Sequence, residues 1–130
     1  MNTGDKIVKS KNKMLSTIAW KIDNKVTYAI EGGVFVAGAL IQWLRDKLKI
    51  INKASEIEEL ASTVKNNGGV TFLPSLSGLG APYWDPKATG AIIGITRGTE
   101  NGHIALAALE SIALRTCLLY TSPSPRDGRE

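Results

Sequence analysis

The sequence predicts an α/β domain with a mixed sheet, strands first, and helices flanking it. Three patterns carry that expectation. Residues 15–31 alternate apolar and polar side chains around a turn, as antiparallel strands do. Residues 34–50 and 55–66 switch to helical spacing. The run GAIIGITR at Gly90–Arg97 then leads into an Ala-rich helical segment.

At 130 residues the chain is long enough for one domain with a real core. Its 43% hydrophobic and 22% charged residues are ordinary for a globular protein. The net charge of +4 reflects Lys6, Lys9, Lys11 and Lys13 near the start. No aromatic or arginine is interleaved with these lysines, so a solvated turn is expected and no nucleic-acid partner. The longest apolar run, Val34–Ile41, is interrupted by Gly38 and is too short to cross a bilayer. MNTGDKIVKS contains no apolar secretory core. The expectation is a soluble, cytoplasmic protein with no membrane partner.

Ile7–Ser10 and Leu15–Asp23 alternate on either side of KSKNK, as a β-hairpin would. Asp23-Asn24 is a second turn signal, and Lys25–Glu31 is the next strand, with Val26, Tyr28 and Ile30 on one face. Gly32 and Gly33 end it. Val34–Ile50 follows as a helix whose apolar stripe is Ala37, Leu40, Ile41, Leu44 and Leu48. Ser55–Asn66 is a second helix with Ile57, Leu60, Ala61 and Val64 inward, and Ser55 with Glu58 suits a capping box. Asn67-Gly68-Gly69 terminates it.

Val70–Pro74 is a short apolar strand. The segment Ser77–Pro86, SGLGAPYWDP, sets Gly and Pro breakers around an aromatic pair and one carboxylate, which calls for an ordered loop. Gly90–Arg97 returns as a strand expected to be buried on both sides. Asn101 or Thr99 is expected to cap the last helix, with Ile104, Ala107, Ala108, Ser111 and Ile112 inward.

Gly38 and Gln42 are the first candidates for chemistry, because residues four apart on a helix share a face. A helical Gly costs about 1 kcal/mol relative to Ala, so a close neighbour is expected at Gly38. Helix packing is the commoner cause, and a ligand phosphate or base is the alternative. Tyr83, Trp84 and Asp85 could form a sugar site, but the favoured reading is structural. In it Tyr83 and Trp84 pin the loop to the core, and Asp85 makes a turn with Pro86. His103 has no Cys or second His as partner, so no metal site is expected. Arg97 and Glu110 are read as structural ion partners or solvated ends. Glu56, Glu58 and Glu59 belong to an exposed face, and no Walker-type phosphate loop is present.

Together these motifs resemble the C-terminal domain of the carbohydrate kinases, the family shared by glycerol, xylulose and gluconate kinases. VFVAGALIQWLRD looks like that family's helix in which Gly and Gln line the ATP site. The resemblance reverses the packing preference and implies that Gly38 sits near the nucleotide and that Gln42 contacts it. Gly90, Ile92, Gly94, Ile95, His103, Ile104, Ala107, Ala108, Leu109 and Glu110 match a second signature of the family in order and spacing. GLGAPYWDP and MNTG are similar to the glycerol kinase versions of their segments. In this family the SGLGAPYWDP loop is a structural hallmark, and the polyol is held mainly by the other domain.

The resemblance spans almost all of residues 1–116. It implies part of a ribonuclease H-like (actin-like ATPase) fold and, for the full enzyme, ATP, Mg²⁺, glycerol and a homo-oligomer. It also implies that the catalytic Asp, the polyol-binding residues and the phosphate hairpin lie upstream of Met1, itself readable as an internal methionine. The adenosine motif would lie beyond Thr116. No catalytic or metal-ligating residue is expected here, and the chain alone is expected to be inactive. A fragment of another sugar kinase and a free-standing nucleotide- or carbohydrate-binding module are the alternatives.

Residues 117–130 are set apart. CLLYTSPSPRD, from Cys117 to Asp127, resembles a translated sequencing-library adapter read in a single frame. A natural Ser/Pro-rich tail is the alternative, and either way the segment is expected to be disordered.

Overall fold

The computed structural model describes residues 1–11 and 13–121. Strand β1 (Asn2–Gly4) is followed by β2 (Leu15–Ile22) and β3 (Lys25–Glu31), then helix α1 (Gly38–Trp43). Helix α2 (Ile57–Ala61), strands β4 (Thr71–Leu73) and β5 (Ala91–Ile93), and helix α3 (Asn101–Thr121) complete the order. The described strands form two small antiparallel sheets, β1-β3-β2 and β4-β5, where one mixed sheet was expected.

The first hairpin is not the expected one. β2 pairs with β3 across Asp23-Asn24, both in the left-handed region at φ 46° and 67°. That geometry suits a two-residue hairpin, because its twist matches the flanking strands. Ile7–Ser10 forms no strand. The other edge of β3 is taken by β1, and the Met1 ammonium donates to the Ile30 carbonyl at 2.6 Å. Residues 7–10 touch β2 through the Ser16 hydroxyl, which donates to the Val8 carbonyl. The edge strand β2 carries a register shift between Ile18 and Trp20, a bulge that interrupts its free edge.

The core lies among α1, α2, α3 and β4. Leu40, Ile41, Leu44, Ile57, Ala61, Val70, Phe72, Ala105, Ala107 and Ala108 are buried in one cluster. Burial of each larger aliphatic side chain contributes roughly 1.5–3 kcal/mol. The three-stranded sheet contributes little to it, with Ile30 its buried apolar residue.

The two middle helices are shorter than their periodicity suggests. Residues 34–37 are irregular, and α1 passes at Leu44–Leu48 into a π-helical turn that stops at left-handed Lys49. That wide turn brings Ile51 back into the core. Ser55 does not cap α2. Instead a 3₁₀ turn at Ala54–Glu56 precedes the helix, and the Asn52 N–H donates to the Glu56 carboxylate at 2.8 Å. The Ser62 and Thr63 hydroxyls donate back to the Glu58 and Leu60 carbonyls, competing with further helical bonds. The following turn forms as expected, with Asn66 and Asn67 side chains accepting the Gly68 and Gly69 N–H groups.

β5 is less buried than expected. Phe72 opposes Ile92, but a two-stranded sheet has no second layer over it, and Ile93 is 62% exposed. The start of α3 is fixed by His103, whose Nδ1 accepts the Glu100 N–H at 3.0 Å. This is the reverse half of a capping box and replaces the expected Asn101 or Thr99 cap. The Thr99 hydroxyl accepts the Thr96 N–H in the preceding turn.

Helix α3 packs on α2 and β4 through its small-residue face, Ala105, Ala107, Ala108 and Ser111. Gly102 belongs to that face, where an added Cβ would meet Thr63, Val64 and the Leu60 carbonyl. By length and composition α3 could also cross a membrane. The sequence reading missed this because it weighed unbroken apolar runs. Its small-residue face is buried against α2 and β4, while most of the rest of the helix is not.

The helix also continues through Cys117–Thr121, so those residues are not disordered as expected. Adding residues to a formed helix is easy, and Leu118 and Leu119 are half-buried. Residues 122–130, the rest of that expectation, lie outside the described residues.

Candidate functional site

Gly38 is the first residue of α1, and Gln42 lies one turn further along the same face. Leu40, Ile41 and Leu44 anchor the helix to the core, while Gly38 and Gln42 are both exposed. Nothing lies within 4 Å of a Cβ built on Gly38. The close neighbour expected there is therefore not found among the described residues, and packing within the chain does not require a glycine at this position. Gln42 offers an amide donor and acceptor beside bare backbone, a surface suited to a polar ligand.

The SGLGAPYWDP loop is ordered by its own backbone. The Leu79 N–H donates to the Asp85 carbonyl at 2.8 Å, and the Tyr83 and Trp84 N–H groups share the Gly80 carbonyl at 3.0 Å. Ala81-Pro82 is a cis peptide. Asp85 forms the expected turn, its carboxylate accepting the Lys87 N–H at 2.9 Å. The aromatic pair is placed differently from expectation. Tyr83 is 55% exposed beneath the Arg115 guanidinium, 5.9 Å from its ring centroid. Trp84 leaves the core too: its indole N–H donates to the Lys13 carbonyl, and its ring meets Phe35 edge-on. Aromatic residues pin the loop, but to the N-terminal segments and α3.

A groove of about 360 Å³ opens between β4, this loop and α3, lined by Phe72, Pro74, Leu79, Tyr83, Leu114 and Leu118 among others. It is apolar, and neither Gly38 nor Gln42 lines it. A second depression of about 350 Å³ follows α1 at Arg45, Asp46, Lys49, Ile51 and Asn52. There Arg45 grips Asp46 with two hydrogen bonds, of 2.6 and 2.9 Å. Those bonds hold the Asp46 carboxyl below its usual range.

His103 and Glu110 take structural roles. His103 packs on Gly68 as well as closing the start of α3. Glu110 accepts from the Asn67 side chain at 2.7 Å. Among the described residues no three His, Cys, Asp or Glu side chains converge as a metal site. Sequence reasoning missed Lys13 and Phe35 as the partners of Trp84, since neither carries a spacing signal.

The helices, the sheets and the open α1 face make up one part of an actin-like ATPase domain. Residues 5–122 match the C-terminal domain of the FGGY family of carbohydrate kinases, and the chain belongs to that family. A glycerol kinase from Dichelobacter nodosus is 66% identical over 115 residues, covering 88% of this chain and 23% of that protein. The crystal structure of Plasmodium falciparum glycerol kinase with ADP superimposes with a TM-score of 0.80 at 38% identity. That match covers 100% of this chain and 26% of the other. Gluconate kinase from Lactobacillus acidophilus gives a TM-score of 0.67 at 26% identity, over 93% of this chain and 24% of its own. The chain thus spans about a quarter of the length of these relatives.

Proposed function

We propose that this chain is the nucleotide-side part of a glycerol kinase, an enzyme that transfers the γ-phosphoryl group of ATP to a terminal hydroxyl of glycerol. The observation that carries the reading is the 66% identity to a glycerol kinase over 115 residues. The lower identity to gluconate kinase, 26%, makes the other sugar kinases a weaker fit. Phosphoryl transfer asks a protein chiefly to position reactants and to stabilise charge. In this reading bare backbone at Gly38 lets the nucleotide approach α1, and the Gln42 amide hydrogen-bonds to it. Mg²⁺ would be held by the phosphates and by residues elsewhere in the full enzyme; among the described residues no three His, Cys, Asp or Glu side chains gather to hold it. A cytoplasmic location and a homo-oligomeric full-length enzyme belong to the same reading.

The chain alone supplies one wall of a two-domain cleft, so it is expected to show no ADP release with glycerol above background. The decisive test exchanges the aligned segment of the Dichelobacter nodosus enzyme for this one. The chimera is expected to phosphorylate glycerol with ATP, and Gln42→Ala within it to raise KM for ATP several-fold with less change in kcat. A folded chimera without that activity, or turnover by the chain alone, overturns the corresponding part of the proposal.

A further inference from the structure

Trp84 joins segments that lie far apart in the chain. Its indole N–H holds the Lys13 carbonyl, and its ring meets Phe35 with centroids 6.0 Å apart and planes at 71°. Beside it, Gly80 approaches so closely that a Cβ there would lie 2.9 Å from the Gly33 carbonyl and 3.0 Å from the Phe35 ring. Residues 33–35 therefore run across a surface built by the SGLGAPYWDP loop. Helix α1 starts three residues beyond Phe35, at Gly38.

That start has no side-chain cap. Ala37 occupies the N-cap position and offers no side-chain hydrogen bond, whereas Ser, Thr, Asp or Asn there would normally hold a first-turn N–H. The first-turn bond from the Leu40 N–H to the Ala37 carbonyl, 2.9 Å, depends on where residues 33–37 are held. Trp84 itself sits at φ 54°, a conformation disfavoured for a bulky side chain and kept where surrounding contacts over-determine it.

We infer that Trp84, with Gly80, is a positioning residue: it fixes Phe35 and thereby the start of α1 that presents Gly38 and Gln42. The consequence for nucleotide binding rests on the reading proposed above. The contact that sets the helix does not.

Hydrogen–deuterium exchange on the full 130-residue chain tests this. Trp84→Leu removes both contacts and is expected to speed exchange at the Leu40–Trp43 amides by roughly tenfold. The amides in the middle of α3 should stay at the parental rate. Trp84→Phe keeps a ring against Phe35 but loses the N–H. It should leave Leu40–Trp43 within about twofold of the parent while releasing Met14, whose N–H bonds to Ser10 beside Lys13. Phe35→Leu should behave like Trp84→Leu at α1, and decides the matter if Trp84→Leu does not fold. Parental exchange at Leu40–Trp43 in Phe35→Leu, or equal acceleration of α3, overturns the inference. Mg-ATP added to the folded chimera with the Dichelobacter nodosus enzyme separates the two ideas: absence of protection at residues 38–42 there counts against the nucleotide reading and leaves the Trp84 result standing.

Discussion

The Asn67 side-chain amide donates to the Glu110 carboxylate at 2.7 Å, linking the turn before β4 to the middle of α3. Residues 43 apart in sequence are fixed by one hydrogen bond to a charged acceptor. Bonds of this kind contribute roughly 1.5 kcal/mol when sheltered, and less when exposed as here. Glu110→Ala is therefore expected to lower stability by about 1 kcal/mol, and Glu110→Gln by less, since its amide oxygen can still accept. Urea unfolding midpoints decide this; equal midpoints for parent and Glu110→Ala would remove the bond from the account.

Gly102 makes a sharper case. An added methyl would meet the Leu60 carbonyl at 3.0 Å and the Val64 side chain at 2.9 Å, and α2 cannot retreat without disturbing Ile57 and Ala61 in the core. Gly102→Ala should cost about 1–3 kcal/mol despite the better helix propensity of alanine. A rise in melting temperature would show that α2 and α3 do not approach this closely.

Ser75 predicts the opposite sign. It is 1% exposed, and its hydroxyl finds no partner among the described residues. Removing an unsatisfied buried hydroxyl relieves a desolvation penalty. Ser75→Ala should keep or raise stability, by up to about 1 kcal/mol. Destabilisation by calorimetry would mean that the hydroxyl is bonded.

The exposed Arg45–Asp46 pair gives a pH signature. Hydrogen bonding from Arg45 lowers the Asp46 pKa. The pair's small contribution is therefore present at neutral pH and lost as pH falls through that lowered value. Side-chain NMR of Asp46 should titrate below the ordinary Asp range and move back up in Arg45→Ala. A midpoint at or above the ordinary value contradicts the geometry.

Much of this could be read in the sequence, and the misses have physical causes. The stripe Leu40, Ile41, Leu44 and the Ala-rich face of α3 were legible because core burial imposes a helical period. The helix ends were not, since Ser62, Thr63 and His103 settle them through particular hydrogen bonds that spacing does not encode. Ile7–Ser10 alternates like a strand, yet it meets β2 through the Ser16 hydroxyl on the Val8 carbonyl rather than through a backbone ladder, which alternation alone does not reveal. Gly38 and Gln42 were found as a shared face. Trp84 was found as an anchor and given the wrong anchorage, because Lys13 and Phe35 are brought to it only by the fold.

Gly38 separates stability from function most cleanly. It begins α1 in open surroundings, with nothing inside 4 Å of an added Cβ. Glycine there loses more chain entropy on folding than alanine would, so Gly38→Ala should stabilise this chain by roughly 0.5–1 kcal/mol. If a nucleotide lies against the bare backbone, the same methyl must push it away. In the chimeric kinase, Gly38→Ala should then raise KM for ATP while leaving the melting temperature unchanged or higher. Loss of stability would reveal a neighbour at Gly38 within the fold. Unchanged stability with an unchanged KM would show that the nucleotide does not come near this helix.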